Sequence, residues 1–282
     1  MIESNAVQRA VELIANADAL VIGAGAGMGV DSGLPDFRGA NGLWTSRRTV
    51  RDRPMDIMDL ASPQTFETDP ALAWGFYGER LLAYRNAQPH AGFEILQRLG
   101  QGKKFGAWVF TSNVDGQFQK AGFDPAYVEE CHGSIHHLQC VKQCTDSIWS
   151  AEDMRPLVDT DSMEMTSPLP RCPHCGALAR PNVLMFNDYH FVYDRTTQQR
   201  ERRLAWLSKI AACGARLATI ELGAGSTVLS VRHFSFLMAR DHGAPLIRVN
   251  MHDAVVEQAG DVGVAMSAIA ALSAVDAALR PS

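Results

Sequence analysis

Four short apolar runs, each stopping at a cluster of small or polar residues, constrain the fold of this chain more than any other feature. Ala19-Leu20-Val21-Ile22 stops at a glycine-rich turn, and Ala107-Trp108-Val109-Phe110 stops at Thr111-Ser112-Asn113. Residues 217–222 stop at Gly223-Ala224-Gly225-Ser226, and residues 246–249 stop at Asn250. Helical spacing lies between them, as at residues 6–15. Runs that do not alternate with polar residues are strands buried on both faces, and strands alternating with helices build a parallel sheet. The expected class is therefore α/β, a doubly wound parallel sheet. In such sheets ligands bind beyond the carboxyl ends of the strands. All four clusters fall at that edge.

Two stretches break the rhythm. Residues 39–78 read as a long loop leading into helices. Residues 139–180 hold four prolines, few apolar runs and two cysteine pairs, Cys140-x3-Cys144 and Cys172-x2-Cys175. Too little apolar surface is present there for an independent core, and a metal would supply the missing stability. Four thiolates leave no open coordination position, so the expected ion is a structural Zn2+ on Cys140, Cys144, Cys172 and Cys175. His136, His137 and His174 are less favoured alternatives. Cys131 and Cys213 read as buried small apolar residues.

The formal net charge of −5 argues against general nucleic-acid binding, which needs a basic excess. The arginines at 195–203 read as a solvated helix face, with a patch for an acidic partner as the alternative. The N-terminus lacks a charged-then-apolar signal pattern and no apolar run is long enough to cross a bilayer, so the expected location is cytoplasmic, with no membrane partner.

Three motifs carry candidate chemistry. Gly23-Ala24-Gly25-Ala26-Gly27-Met28-Gly29 follows a strand, where glycines let backbone N–H groups approach a pyrophosphate; such turns also occur without ligands. Residues 31–39 then place an acid, an aromatic and an arginine in a fixed order, with Arg38 suited to phosphate and Phe37 to covering a ring. Thr111-Ser112-Asn113-Val114-Asp115-Gly116 puts an amide and a carboxylate two residues apart at a strand end; helix and turn capping is the structural alternative. Glu130-Cys131-His132-Gly133 offers a histidine as general base, though a lone histidine is more often structural.

Taken together these stretches resemble the sirtuins, NAD-dependent protein deacylases. Gly25-Ala26-Gly27 is similar to the family's GAG loop, residues 35–39 to its PDFRG segment, residues 113–116 to its NVDG-type segment and His132-Gly133 to its catalytic pair. Pro89-His90 with Leu96, and Arg180-Pro181-Asn182-Val183, also resemble family segments, so that the likeness spans about residues 10–262. The resemblance implies a Rossmann-like domain made of residues 1–38, 86–138 and 181–282, a cofactor loop and helical module at 39–85, and a zinc-binding module at 139–180. It implies NAD as co-substrate, held by Gly25, Ala26, Gly27, Asp36, Phe37, Arg38, Ser112, Asn113, Val114, Asp115, Gly223, Gly225, Ser226 and Asn250. It implies catalysis by His132 and Asn113, and an acyl-lysine protein or peptide bound along Val183, Phe186 and Asn187. The implied products are nicotinamide, free lysine and O-acyl-ADP-ribose.

The chain departs from the family pattern in places. Gly29 stands for a serine, Ser112 for a glutamine, and Gly223-Ala224-Gly225 for a GTS. Phe186-Asn187-Asp188 stands where deacylases carry Phe-Gly-Glu. That last change implies an altered groove and an altered acyl or protein preference, with ADP-ribosyl transfer or NAD hydrolysis as the alternative activity.

Overall fold

A computed structural model describes residues 2–36, 48–50, 53–55 and 57–280. Helix α1 (Ile2–Asn16) leads into β1 (Ala19–Ala24). A hairpin, β2 (Arg48–Val50) and β3 (Arg53–Met55), precedes α2 (Ile57–Leu60), α3 (Pro63–Thr68) and α4 (Pro70–Asn86). The chain continues through α5 (Ala91–Gln101), β4 (Ala107–Thr111), α6 (Gln117–Lys120) and β5 (Val128–Glu130). Strands β6 (Gly133–Cys140), β7 (Trp149–Ser150) and β8 (Ala179–Val183) come next. The remainder is α7 (Asp194–Ala212), β9 (Leu217–Leu222), α8 (Ser230–His242), β10 (Leu246–Val249), β11 (Val262–Val264) and α9 (Ala268–Leu279).

The main sheet is parallel throughout, in the order β11-β10-β9-β1-β4-β5. Strand β1 shows why its sequence is continuously apolar. Leu20, Ile22 and Ala24 enter one core with α1, α5 and α9, through Ile14, Phe93, Leu96 and Leu272. Ala19 and Val21 enter the opposite core with α7 and α8, through Trp206, Ile210, Val231 and Phe234. Side chains alternate across a strand, so covering both faces requires apolar residues at every position. The doubly wound sheet inferred from the runs is the one present.

Sheet growth reverses at β1. The chain adds β4 and β5 on one side, then crosses to place β9 on the other. Neighbouring strands whose connections leave in opposite directions open a crevice between their C-terminal loops. The crevice here lies between the loops after β1 and β9.

A second, antiparallel sheet, β7-β6-β8, packs against the preceding helices. Leu60, Phe66, Trp74, Phe76, Tyr77 and Leu81 share one core with Ile135, Leu138, Met163, Met165 and Val183. Trp74 Nε1 donates to the Ala179 carbonyl at 2.8 Å, tying α4 to β8. The cysteine-bearing segment thus has apolar support from the helices before it. The borders expected at 138/139 and 180/181 fall inside β6 and β8. Among the described residues, no helix is long and apolar enough to cross a membrane.

Candidate active site

The loops after β1 and β9 touch through their backbones. Gly27 N–H donates to the Gly223 carbonyl at 3.1 Å, and Gly25 N–H to the Leu222 carbonyl at 3.0 Å. Gly223 has φ +58, and a Cβ there would lie 2.4 Å from Gly27 Cα. Only glycine permits both that conformation and that approach. Ala26 sits in a 3₁₀ turn, Ala26–Met28, supported from below by His90. His90 Nδ1 accepts from Gly92 N–H, capping α5, and its Nε2 bonds the Met28 carbonyl, both at 3.0 Å. A ring that accepts on one nitrogen and donates from the other is neutral, and burial pulls the pKa of His90 below the usual range. Asp31 accepts from Ile269 N–H at 2.9 Å, at the start of α9, a structural role for the first acid of the motif. Asp36 is half-buried; Phe37 and Arg38 lie outside the described residues.

The segment after β4 reaches into the same crevice. Thr111 Oγ1 donates to the Ala24 carbonyl at 2.9 Å and accepts from Asn113 N–H at 3.0 Å. Ser112 N–H donates to Ala24 as well, at 3.1 Å. Asn113 Nδ2 then donates to the Gly25 carbonyl at 3.0 Å, so the amide is held against the glycine loop. The Val114 carbonyl accepts from Ile135 N–H at 3.0 Å, joining this loop to the second sheet. Asp115 is buried, with Oδ1 accepting from Gln117 N–H at 2.9 Å. Its carboxyl is pushed up to about 6, first by burial and further by the charge of Glu130.

That shift carries a stability cost with a definite sign. Between pH 3.8, where the free carboxyl titrates, and about 6 the folded state holds a proton that the unfolded chain releases. Asp115 therefore costs stability once ionised, fully above about pH 6, and the cost fades as the pH falls through that window. Asp115→Asn is expected to stabilise the protein by up to roughly 3 kcal/mol in mildly alkaline buffer. The gain should shrink towards zero near pH 4. Urea denaturation of both proteins at the two extremes measures this, and a pH-independent difference would contradict it.

His132 sits between β5 and β6 at the same edge. Cys131 N–H bonds the Thr111 carbonyl at 2.9 Å, and the His132 carbonyl accepts from Leu184 N–H at 2.9 Å. The imidazole is half-buried, with Nε2 at 3.0 Å from Ser230 Oγ and a backbone hydrogen bond with Ser112. Burial lowers its pKa, so the ring is neutral at pH 7 and can accept a proton. Gly133 follows with φ +78, and a Cβ there would be 2.0 Å from the Asn182 carbonyl. The glycine lets β6 leave the histidine directly alongside β8.

On the far side, Asn250 Nδ2 donates to the Ala224 carbonyl at 3.1 Å, and its Oδ1 accepts from His252 and Asp253 N–H groups. Arg232 bonds the same Ala224 carbonyl and the Asp253 carboxylate. Gly225 and Ser226 are exposed beyond this clasp.

Val183 ends β8 and pairs with Gly133. The turn after it carries Phe186, whose N–H donates to the Ala61 carbonyl at 3.3 Å, and Asn187, exposed with φ +54. Asparagine tolerates the left-handed region better than most residues. The left-handed turn is therefore one that asparagine can hold. Asp188 fixes it from inside, accepting from Met185 and His190 N–H groups and pairing with buried Arg180 through Nη1 at 3.1 Å and through Nη2.

Cys140, Cys144, Cys172 and Cys175 place all four sulfurs within 4.8 Å of one another. Cys140–Cys175 and Cys144–Cys172 are each 3.6 Å apart. Four sulfurs about 2.3 Å from one tetrahedral ion would be about 3.8 Å from each other, whereas a disulfide needs about 2.05 Å. The donor set fits zinc. His136 is committed elsewhere, to the Asp115 carbonyl at 2.8 Å, and neither His137 nor His174 belongs to the cluster.

The sequence profile of the Sir2 family matches residues 25–203, more than half of the chain. The chain belongs to the Sir2 family. It is 33% identical over 233 residues to the "NAD-dependent protein deacylase 1" of Archaeoglobus fulgidus, covering 79% of this chain and 85% of that one. It is 26% identical over 262 residues to the "NAD-dependent protein deacylase" of Thermococcus sibiricus, covering 91% and 89%. A serine-to-alanine mutant of a Sir2 homologue, solved with ADP ribose, superposes with a TM-score of 0.70 at 26% identity, covering 98% of this chain and 99% of that one.

Within this Sir2-family chain some expectations need correction. Of the arginines at 195–203, Arg200 and Arg202 are exposed as a solvated face would have them, but Arg195 and Arg203 turn inward from α7 to pair with Glu130 and Glu129 on β5, Arg203 at 2.6 Å. Two buried carboxylates on one short strand require cations opposite them. Cys213 is exposed, because it caps α7 at the surface, and Cys131 is only half-buried. Ser230 and Arg232 were not singled out from the sequence. Neither belongs to a motif, and only the packing of α8 brings them to the crevice.

Proposed function

We propose that this chain is an NAD-dependent protein-lysine deacylase, converting acyl-lysine, NAD and water to lysine, nicotinamide and O-acyl-ADP-ribose. The observation that carries this reading is the convergence of Asn113 and neutral His132 with two apposed glycine loops at one crevice. The relatives named as NAD-dependent protein deacylases, and the Sir2 homologue solved with ADP ribose, support it.

In this reading the absence of side chains at Gly25, Gly27 and Gly223 and the small side chain of Ala26 let the phosphates approach the loop closely, and Asp36, Phe37 and Arg38 are the further cofactor residues that the family motif supplies. Ser112, Asn113, Val114 and Asp115 line the nicotinamide and ribose side. Gly225, Ser226 and Asn250 hold the adenosine side. His132 takes a proton from a ribose hydroxyl as that oxygen attacks the acyl carbon. Val183, Phe186 and Asn187 pair with the peptide. No strong nucleophile is needed; placement and charge stabilisation dominate. Cys140, Cys144, Cys172 and Cys175 would hold a Zn2+ that stabilises the second sheet and takes no part in bond breaking. Thiolate ligands suit a reducing, cytoplasmic setting.

Mass spectrometry of products from NAD and a panel of acyl-lysine peptides tests the proposal. Nicotinamide, deacylated peptide and O-acyl-ADP-ribose are expected in equal amounts. NAD consumption that yields only ADP-ribose, free or on protein, would overturn it.

A further inference from the structure

Ser230 is the first residue of α8 and lies 98 positions from His132 in sequence, yet its Oγ is 3.0 Å from His132 Nε2. We propose that Ser230 is a positioning residue for His132, holding the imidazole in the orientation from which it acts as base and coupling that orientation to the loop at 223–229. The inference rests on the reading of His132 as the base.

Two features make the contact more than a surface coincidence. The first is rigidity. Val231, next to Ser230, is buried, and its Cγ1 would lie 3.1 Å from a Cβ at Gly23, so α8 packs directly on β1. Phe234 stacks on Phe110 with ring centroids 4.0 Å apart and planes 8° from parallel. Arg232 clasps the Ala224 carbonyl through Nε and Nη2, both at 3.1 Å. The start of the helix is therefore held against the sheet and against the loop that precedes it. The second is chemistry. The ring already has a backbone bond with Ser112, so Ser230 supplies a second polar contact from a different element. A hydroxyl can donate to a neutral imidazole nitrogen and accept from a protonated one. Ser230 thus serves the base before and after it takes a proton.

Steady-state kinetics of wild type, Ser230→Ala, Ser230→Thr and His132→Ala test this, with NAD and an acyl-lysine peptide across the pH range. Ser230→Ala should lower kcat about fivefold, the scale of one neutral hydrogen bond, with KM for NAD unchanged. Its acid limb should move, because the ring loses a hydroxyl that partners its neutral and protonated forms unequally. Ser230→Thr, which keeps the hydroxyl, should restore both. A Ser230→Ala protein with wild-type kcat and acid limb, beside an inactive His132→Ala protein, would overturn the proposal. So would a change confined to KM and thermal stability, the sign of a purely structural residue. Full activity of His132→Ala would instead remove the base itself, and with it any role for Ser230.

Discussion

His132→Ala is expected to reduce deacylation by about two to four orders of magnitude, the range contributed by a positioned general base, while the protein stays folded. The ring is only half-buried, and its removal leaves the Ser230 hydroxyl and the Ser112 backbone free to take up water. The contacts that shape the rest of the crevice do not involve the imidazole: Gly27 to Gly223, Asn113 to Gly25 and Asn250 to Ala224 all remain. The loss should therefore appear in kcat rather than in NAD affinity. Peptide deacylation and nicotinamide release measured on the same samples decide the matter. NAD cleavage that survives undiminished, with ADP-ribose free or attached to protein, would favour transfer or hydrolysis over deacylation.

Metal removal is expected to have an equally large effect by a different route. The folded protein should contain one zinc per chain, measurable by elemental analysis. A strong chelator, or Cys172→Ser, should unfold the second sheet and abolish activity although no thiolate takes part in the reaction. Structural zinc contributes roughly 10–16 kcal/mol in small thiolate sites, comparable to the whole stability of an ordinary domain. The consequence reaches the crevice because Cys140 ends β6, whose first residue is Gly133, next to His132. Cys172 stands ahead of β8, whose last residue is Val183. Melting these strands would release the groove and the histidine together. A chelated protein that is metal-free, folded and active would refute the assignment.

Much of this architecture was legible in one dimension. A strand with both faces covered is mostly apolar, so β1 and β4 announced themselves, and β9 and β10 did so despite a buried Glu221–Arg248 ion pair between them, and their C-terminal clusters marked the crevice. Paired cysteines in a segment with little apolar surface likewise imply a metal from chemistry alone. Strand β5 was not legible: it reads Val-Glu-Glu, and its two carboxylates are buried only because α7 brings Arg195 and Arg203 to them. Strand β11, Val-Gly-Val, is too short to show a period. The joint core of α2–α4 with β6 and β8, and the contact between Ser230 and His132, were equally hidden. Periodicity and motif report what a residue and its near neighbours require: burial, a turn, a thiolate. Which distant side chain meets that requirement depends on how the layers close, and here only the tertiary structure decided that Ser230 faces His132 and that arginines, not water, face Glu129 and Glu130.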